Sequence, residues 1–238
     1  MKSMKKRLSL LLLFFLFSLG LFASSKGLYL GLEGGYALNA LLATTGYRED
    51  VYYIPYHGFE ASIPIRYQFN ERRAIESGIT YLMKSYLWLH IVSDYNYFDY
   101  LIYNNHYLEV PIAATFKFGS DNVNSVTSLG GYLGYHLLSK RSGSFASSSP
   151  DLSDSSTYLT KVSDTLTFNK IRDNRFDAGL LFKTGVEVEL SKVLLFIRSS
   201  LYLSLTDMNK RYQYDEESRY NLTLTITAGA LFSLGGKE

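Results

Sequence analysis

Polar and apolar side chains alternate over residues 176–190, which read FDAGLLFKTGVEVEL. One parity carries Asp177, Lys183 and Glu187, whereas the other is almost entirely apolar. Successive side chains of a β-strand point to opposite faces, so a strand here has one charged face and one oily face. The fold therefore depends on whether the oily face meets a protein core or a lipid bilayer.

The same alternation recurs along the rest of the chain. The connections between the alternating segments are long and short in turn, which places every long loop at one end of an up-and-down meander. The segments are Gly27–Leu38, His57–Phe69, Ala74–Ser85, Tyr107–Phe118, Val126–Leu138, Phe176–Leu190, Val193–Thr206 and Arg219–Leu234.

Two architectures fit this pattern. A soluble barrel points its oily face inward, whereas an outer-membrane barrel points it at lipid and keeps a polar interior. The second is favoured because the segments exceed the 9 to 11 residues of a tilted spanning strand, and because the polar face is rich in glycine. We therefore predict an all-β fold, an eight-stranded antiparallel up-and-down transmembrane β-barrel, over residues 26–238.

Aromatic residues near the segment ends support the same choice, since Tyr, Trp and Phe gather at membrane interfaces. The chain has 21 Tyr but only one Trp. The residues assigned to such girdles are Tyr29, Tyr36, Tyr67, Phe69, Tyr81, Tyr86, Tyr107, Phe118, Phe176 and Tyr220.

The first 25 residues predict a secretory signal peptide. Four basic residues precede an apolar run from Leu8 to Leu19, and small residues follow, so cleavage is expected after Ala23 or Ser25. A membrane anchor is the alternative, but the run is short for a spanning helix. Export by this route, together with the barrel, predicts the outer membrane of a diderm bacterium as the location.

Charge and cysteine content exclude several functions. The signal holds four of the 24 Lys and Arg and no acid, which leaves 20 bases against 22 acids and a net charge of about −2. A basic partner surface for nucleic acid is therefore not predicted. The chain has no cysteine, so disulfides, thiol nucleophiles and thiolate metal sites are excluded.

The sequence offers no set of residues typical of catalysis or cofactor binding. The four histidines are not spaced as metal ligands, and the glycine-rich stretches LGGYLG and GLEGG lack the lysine and helix of a phosphate loop. His136 with a nearby Ser or Glu is the one candidate for a lipid hydrolase, yet no Gly-x-Ser-x-Gly motif accompanies it. We predict no enzyme activity, no metal and no cofactor.

The polar face predicts a charged interior. An eight-stranded barrel is just wide enough for side chains to fill it, and buried charges have to be paired or hydrated. A two-residue turn at 191–192 would place Gly185 opposite Arg198, with Glu187 as its diagonal partner, and the turn at 70–73 would bring Arg66 to Glu76. The predicted lumen network is Glu60, Arg66, Glu76, Glu109, Lys183, Glu187 and Arg198, with Lys84, Lys117 and Asp177 on the same face.

Two long connections differ in character. Residues 142–164 are Ser-rich, which is typical of a flexible loop tip, although a binding role stays open. Residues 86–106 continue the alternation and predict a hairpin above the membrane. It either exposes aromatic residues to a partner or packs them against neighbouring loops. The candidate surface-binding residues are Tyr86, Trp88, Tyr97 and Tyr100.

The stretches YLEVPIAATFKF, SLGGYLGYHL and FDAGLLFKTGVEVELSKVLLFIRSSLYLSLTDM resemble the PorT-like outer membrane β-barrel family. This resemblance covers residues 107–207 best and implies a barrel similar in architecture to the small OmpA, OmpX and OmpW barrels. Residues Thr227–Leu234, TAGALFSL, are similar to the carboxy-terminal signal read by barrel-assembly machinery, although GGKE follows them.

Three functions remain open at this point. The first is a non-enzymatic barrel with a structural or adhesive role at the cell surface. The second, implied by the PorT-like resemblance, is an accessory subunit of a secretion machine, and the third is a lipid-modifying enzyme. The expected partners are outer-membrane lipid, the assembly machinery, and an extracellular or periplasmic protein.

Overall fold

The computed structural model describes residues 27–44, 50–92, 97–120, 122–148, 157–190, 193–210 and 218–234. The predicted signal peptide therefore lies outside the described residues. Every long regular element in the described part is a strand, and none of its helices is long and apolar enough to cross a membrane. The strands are β1 (Gly27–Ala43), β2 (Val51–Asn70), β3 (Arg73–Val92), β4 (Tyr97–Ser120), β5 (Val123–Ser148), β6 (Thr157–Leu166), β7 (Phe176–Leu190), β8 (Val193–Ser204) and β9 (Arg219–Ser233).

Eight of these strands close into a barrel. Going round the wall, the order is β1–β2–β3–β4–β5–β7–β8–β9, and β9 pairs again with β1. Every pair of neighbours is antiparallel, and the closure leaves no free edge within the ring. The predicted fold is confirmed. Its short turns also fall where expected, between Asn70 and Arg73 and between Ser120 and Val123.

The ninth strand, β6, lies above the ring. The lower part of β5, Val123–Tyr135, pairs with β7, whereas its upper part, Ser139–Ser148, pairs with β6. On its other side the upper part of β5 continues to pair with β4, from Tyr100 to Asn105. The upper ends of β2 to β6 therefore form one five-stranded sheet that rises beyond the barrel. We call this the outer sheet.

The barrel wall is apolar outside and polar inside. Along β4, the outward residues Leu108, Val110, Ile112 and Phe116 are exposed, whereas Glu109 and Thr115 between them are buried. From Leu108 to Phe118, which is also exposed, the strand has 11 residues, the length that a tilted spanning strand needs. The oily face of the alternation therefore meets lipid.

The interfacial girdles differ from the predicted list at three positions. Tyr36, Tyr81 and Phe176 lie outside the wall at its upper rim, and Phe118 lies outside at its lower rim. The assignment was wrong for Tyr29, Tyr86 and Tyr107, which point inward and are buried. The parity of each residue decides its side of the wall, so position near a strand end alone does not identify a girdle residue.

The strands also run further than the sequence analysis placed them. The flexible tip expected at residues 142–164 is wrong for its described part, since β5 reaches Ser148 and β6 begins at Thr157. The hairpin predicted within residues 86–106 is present as the upper halves of β3 and β4. Serine and threonine are compatible with a solvated two-sided strand, which low apolar content alone does not reveal.

Candidate functional site: the charged lumen and the outer sheet

The lower lumen holds one connected network of charged side chains. Alternation sends Arg66 of β2 and Glu76 of β3 inward from directly opposed positions. Arg66 Nε and Nη2 donate to Glu76 Oε2 at 3.1 and 2.9 Å. Arg66 Nη1 donates to Glu187 of β7 at 2.8 Å, so this one arginine ties three strands together. Arg66 has no exposed surface, and the two carboxylates are almost fully buried.

The network continues through Glu76 to the opposite wall. Glu76 Oε1 accepts from Lys183 Nζ at 3.2 Å and from Arg198 Nη1 at 2.8 Å. Arg198 also forms a bidentate pair with Glu33 of β1, in which Nε lies 2.6 Å from Oε1. Lys117 of β4 lies 3.5 Å from Glu187. Three carboxylates and four cations therefore link six of the eight ring strands.

A second polar cluster lies higher in the lumen. Lys84 Nζ lies 2.7 Å from both Glu109 and Asp177, and its ammonium also lies 4.8 Å from the ring centre of Tyr107. Asp177 accepts further hydrogen bonds from the hydroxyl groups of Ser204 and Thr206. Thr206 follows the end of β8, and the other side chains of this cluster come from the inward parity of their strands.

Packed rings and aliphatic groups separate the two clusters. The buried group between them comprises Ala37, Leu82, Tyr132, Leu181 and Tyr202. Glu60 lies beside this layer and accepts a hydrogen bond from the Tyr202 hydroxyl at 3.0 Å. A second buried apolar group lies toward the periplasmic end of the lumen and comprises Tyr29, Leu194, Phe196 and Leu231. The described interior is therefore filled with side chains along its length.

The structure places all seven predicted lumen residues inside the barrel, but some of their ion-pair partners differ from those predicted. Arg66 meets Glu76, and Gly185 lies opposite Arg198, both as predicted. The predicted pair of Arg198 with Glu187 was wrong. Arg198 forms ion pairs with Glu33 and Glu76, whereas Glu187 pairs with Arg66. Arg198 lies two strands from Glu33 in space, and side chains this long reach across a narrow lumen rather than along the wall.

Glu33 is the network residue that the sequence analysis missed. It lies in the first segment, where Glu33 is the one charged residue between Gly27 and Leu38. The same parity test that identified Glu76 and Glu187 would have identified it, because its neighbours Leu32 and Gly34 face lipid. The inward tyrosines had no comparable signal, since an aromatic ring suits either side of a barrel wall.

The histidines do not assemble into a catalytic or metal-binding set within the described residues. His136 stacks on Tyr107 with ring centres 4.4 Å apart, and its Nε2 has no hydrogen-bond partner there. Ser204, which contacts Asp177, has no imidazole beside it among the hydrogen bonds of the described chain. No group of three metal-ligating side chains occurs in that part of the chain either.

The candidate surface residues of the outer sheet divide between its two faces. Tyr86 is 4% exposed and stacks on Tyr103 with ring centres 4.9 Å apart, so it does not belong to a binding surface. Trp88 is half-buried on the same face, beside His90. Tyr100 points the other way and is exposed, whereas the side chain of Tyr97 lies outside the described residues.

The outward face of β2, β3 and β4 carries an apolar patch above the membrane-facing band. Register places Ile54 beside Leu87 and Leu87 beside Ile102, and the next row up is Tyr52, Leu89 and Tyr100. Below this patch, Asn104 and Lys140 form a polar row on the same face of β4 and β5, and the buried Ser85 of β3 donates a hydrogen bond to Asn104 at 2.9 Å. The apolar residues of this face form what we call the upper apolar patch. It consists of Tyr52, Ile54, Leu87, Leu89, Ile91, Tyr100 and Ile102.

A closed antiparallel barrel with a lipid-compatible exterior and a filled polar interior defines the class of small outer-membrane barrels. The model of the outer membrane protein beta-barrel domain family matches residues 22–210, and the chain belongs to that family. The outer membrane is accordingly its location. No curated protein is similar enough in sequence to count as a relative.

Several solved barrels are similar in fold at low sequence identity. Ail, the attachment invasion locus protein of Yersinia pestis, is 15% identical, with 87% of this chain and 100% of that chain covered and a TM-score of 0.40. Neisserial surface protein A is 12% identical, covering 87% and 97%, with a TM-score of 0.42. OprG of Pseudomonas aeruginosa is 10% identical, covering 88% and 98%, with a TM-score of 0.48.

Proposed function

We propose that this protein is a closed, non-enzymatic barrel that binds a macromolecular partner outside the cell through its outer sheet. The proposal is based on one observation, namely that the upper ends of β2 to β6 continue above the other strands of the barrel wall. The upper part of β5 pairs with β6 over Ser139–Ser148, and ten residues of strand span roughly 30 Å. Neither lipid spanning nor barrel closure requires this sheet.

The upper apolar patch supports a binding role. Tyr52, Ile54, Ile91 and Tyr100 are between 37% and 48% exposed, although the row below them on β4 and β5 is polar at Asn104 and Lys140. Contiguous exposed apolar side chains on a monomer typically mark interaction sites, and tyrosine is enriched among the residues that dominate binding. An extracellular protein with an apolar or aromatic surface is the partner that this patch would fit.

The described periplasmic side offers less surface to a partner. Its turns are as short as residues 71–72 and 121–122, between β2 and β3 and between β4 and β5. An accessory subunit of a secretion machine, the role that the PorT-like resemblance implies, would need a docking surface there. Co-purification of large periplasmic proteins with the full chain would replace the surface-binding proposal with the secretion role.

The proposal is tested by the adhesion of whole cells that display the protein. Cells carrying Y52S/I54S/Y100S are compared with cells carrying the unchanged protein, on surfaces coated with extracellular-matrix proteins and with host cell layers. We expect the substitutions to reduce attachment to at least one surface to the level of cells without the protein. Equal attachment by both strains on a surface where the protein promotes it would contradict a role for this patch.

The matched control is S142T/S163T/T165S, on the outward face of β5 and β6. Ser142 and Ser163 continue the row of Ile102, Thr165 continues the row of Lys140 just below it, and none of the three is apolar. The control should retain full attachment. Heat-modifiable migration in detergent gels confirms that every variant forms the barrel.

A further inference from the structure

Two segments at the upper ends of β7 and β8 join into a compact unit. They lie on the side of the barrel where the wall does not continue into the outer sheet. Residues 167–175 and 205–210 are held together by backbone hydrogen bonds, from Lys210 N to Arg172 O at 2.6 Å and from Asn174 N to Met208 O at 2.8 Å. An isolated bridge between Asp173 and Asn209 completes the pairing. We call this unit the shoulder, and it lies directly above the upper girdle residue Phe176.

The shoulder carries exposed cations without an equal number of available carboxylates. Lys170, Arg172 and Lys210 are exposed, and Lys210 Nζ lies 2.8 Å from the Lys170 carbonyl oxygen, so the two lysines are neighbours. Asp173 accepts from Asn169 N and from Arg172 Nε. Neither lysine has a carboxylate partner among the ion pairs of the described residues.

The other carboxylate of the shoulder is also occupied within the protein. Asp207 accepts hydrogen bonds from the backbone N–H groups of Asn209 and Arg219, at 3.0 and 2.9 Å. Neither described carboxylate of the shoulder therefore pairs with a lysine, and both lysines are exposed. Their ammonium groups are available to an anionic ligand.

Exposed apolar side chains lie within the same shoulder. Ile171, between the cations Lys170 and Arg172, is 60% exposed, and Leu205 is exposed to the same extent. Leu205 continues the outward parity of Leu201 and Leu203 beyond the end of β8. Arg175 adds a cation at this height, stacked over the rings of Tyr135 and Phe168 at 4.6 and 4.3 Å. Exposed apolar residues and cations therefore lie side by side next to the upper ends of β7 and β8.

We propose that the shoulder binds the phosphate group of an anionic lipid in the outer leaflet. The lysine ammonium groups would hold the phosphate, and Ile171 and Leu205 would contact the upper carbons of the acyl chains. A phosphate is a suitable ligand because lysine binds it as a compact point charge, and basic residues near an anionic membrane surface are attracted to it. A free phosphate ion would not use the apolar contacts. This site lies on the opposite side of the barrel from the upper apolar patch and is independent of the proposed function.

The test measures binding of diphosphorylated lipid A to the purified full chain in a neutral detergent, by native mass spectrometry and by titration. The variant K170Q/R172Q/K210Q removes the three exposed cations of the shoulder. The matched control R72Q/R73Q/K161Q removes three exposed cations, from the periplasmic turn, from the first residue of β3 and from β6. We expect the shoulder variant to bind at least about tenfold more weakly than the control, and we expect affinity to fall with added salt.

Two further measurements separate a lipid site from other sources of binding. I171S/L205S retains every cation and should also weaken lipid A binding, because the acyl contacts are lost. Dephosphorylated lipid A should bind no more tightly to the unchanged protein than to K170Q/R172Q/K210Q. Equal lipid A affinity of the shoulder variant and its control would overturn the proposal, as would full displacement of lipid A by inorganic phosphate at matched ionic strength.

Discussion

Single carboxylates of the lumen differ in how many cations they hold, and this difference predicts the effects of isosteric substitutions. Glu76 contacts three cations, namely Arg66, Lys183 and Arg198. Glu60 accepts a hydrogen bond from Tyr202 and has no ion pair among the described residues. A buried cation that loses its partner is costly, whereas a glutamine can still accept the tyrosine hydrogen bond.

We expect Glu76→Gln to lower the free energy of unfolding by about 3 to 5 kcal/mol, and Glu60→Gln to change it by less than about 1 kcal/mol. Urea unfolding of the barrel in lipid vesicles, followed by the fluorescence of Trp88, measures both values. Similar losses of unfolding free energy in the two variants would contradict the larger contribution to stability that we assign to the ion pairs of Glu76.

Gly185 predicts a second contrast within the wall. A Cβ atom built on Gly185 would lie 2.3 Å from Ile197 O and 2.6 Å from Arg198 Cβ, whereas one on the lipid-facing Gly34 meets Glu60 O at 3.6 Å. We expect Gly185→Ala to destabilise the barrel by about 1 to 3 kcal/mol, because the backbone of β8 at Ile197 and Arg198 has to shift. Gly34→Ala, measured by the same unfolding assay, should be neutral or slightly stabilising, and a loss of equal size there would refute this explanation.

These residues also show what could be predicted from the sequence at the residue scale. Parity alone placed Arg66, Glu76, Glu187 and Arg198 inside the barrel, because the period of a strand is fixed. The partner of Arg198 could not be predicted in the same way. Its carboxylates come from β1 and β3, and their distance across the lumen depends on the tilt and stagger of the whole barrel rather than on neighbouring registers.

At the scale of elements, β5 changes partners halfway along its length. It pairs with β7 inside the membrane and with β6 above it, so β6 depends on β5 alone in the ring order of the described strands. The sequence predicted the membrane half because lipid requires a continuous apolar face there. It did not predict the outer half, since a strand with solvent on both faces has no alternation to detect.

An exposed ion pair joins the two strands of that outer hairpin. Arg141 Nη2 lies 2.6 Å from Asp164 Oδ2, and the hydrogen bond from Arg141 lowers the pKa of the Asp164 carboxyl below its usual range. A lowered folded-state pKa means that the contribution is present above the unfolded-state value of about 3.9, and that it is lost as pH falls through the folded-state value.

We therefore expect the amides of β6 to lose protection against hydrogen exchange as the pH falls below about 4, after correction for the intrinsic exchange rate. The amides of β7, within the membrane, serve as the internal control and should keep their protection. Asp164→Asn should give lower protection already at pH 7 and no further loss on acidification. A pH response that persists in Asp164→Asn would assign the effect to another group.

At the scale of the whole molecule, the side chains inside the barrel block the path through the lumen from its extracellular end to its periplasmic end. The network around Glu76 crosses the lower lumen from β1 to β7, and the layer of Leu82, Tyr132, Leu181 and Tyr202 crosses above it. Each layer is buried, so an ion would have to displace several paired charges at once. That displacement costs much more than thermal energy supplies, because each charge would lose its partner in a low-dielectric interior.

We accordingly expect the purified protein to give no steady conductance steps in planar lipid bilayers, under conditions in which a porin of similar purity gives large ones. Glu76→Gln weakens the network and should give brief, noisy openings rather than a stable pore, because the apolar layers remain. A steady, large conductance from the unchanged protein would reject a closed lumen. Steady steps that appear only in Glu76→Gln would instead show that the charge network, and not the layers of rings and aliphatic groups, closes the barrel.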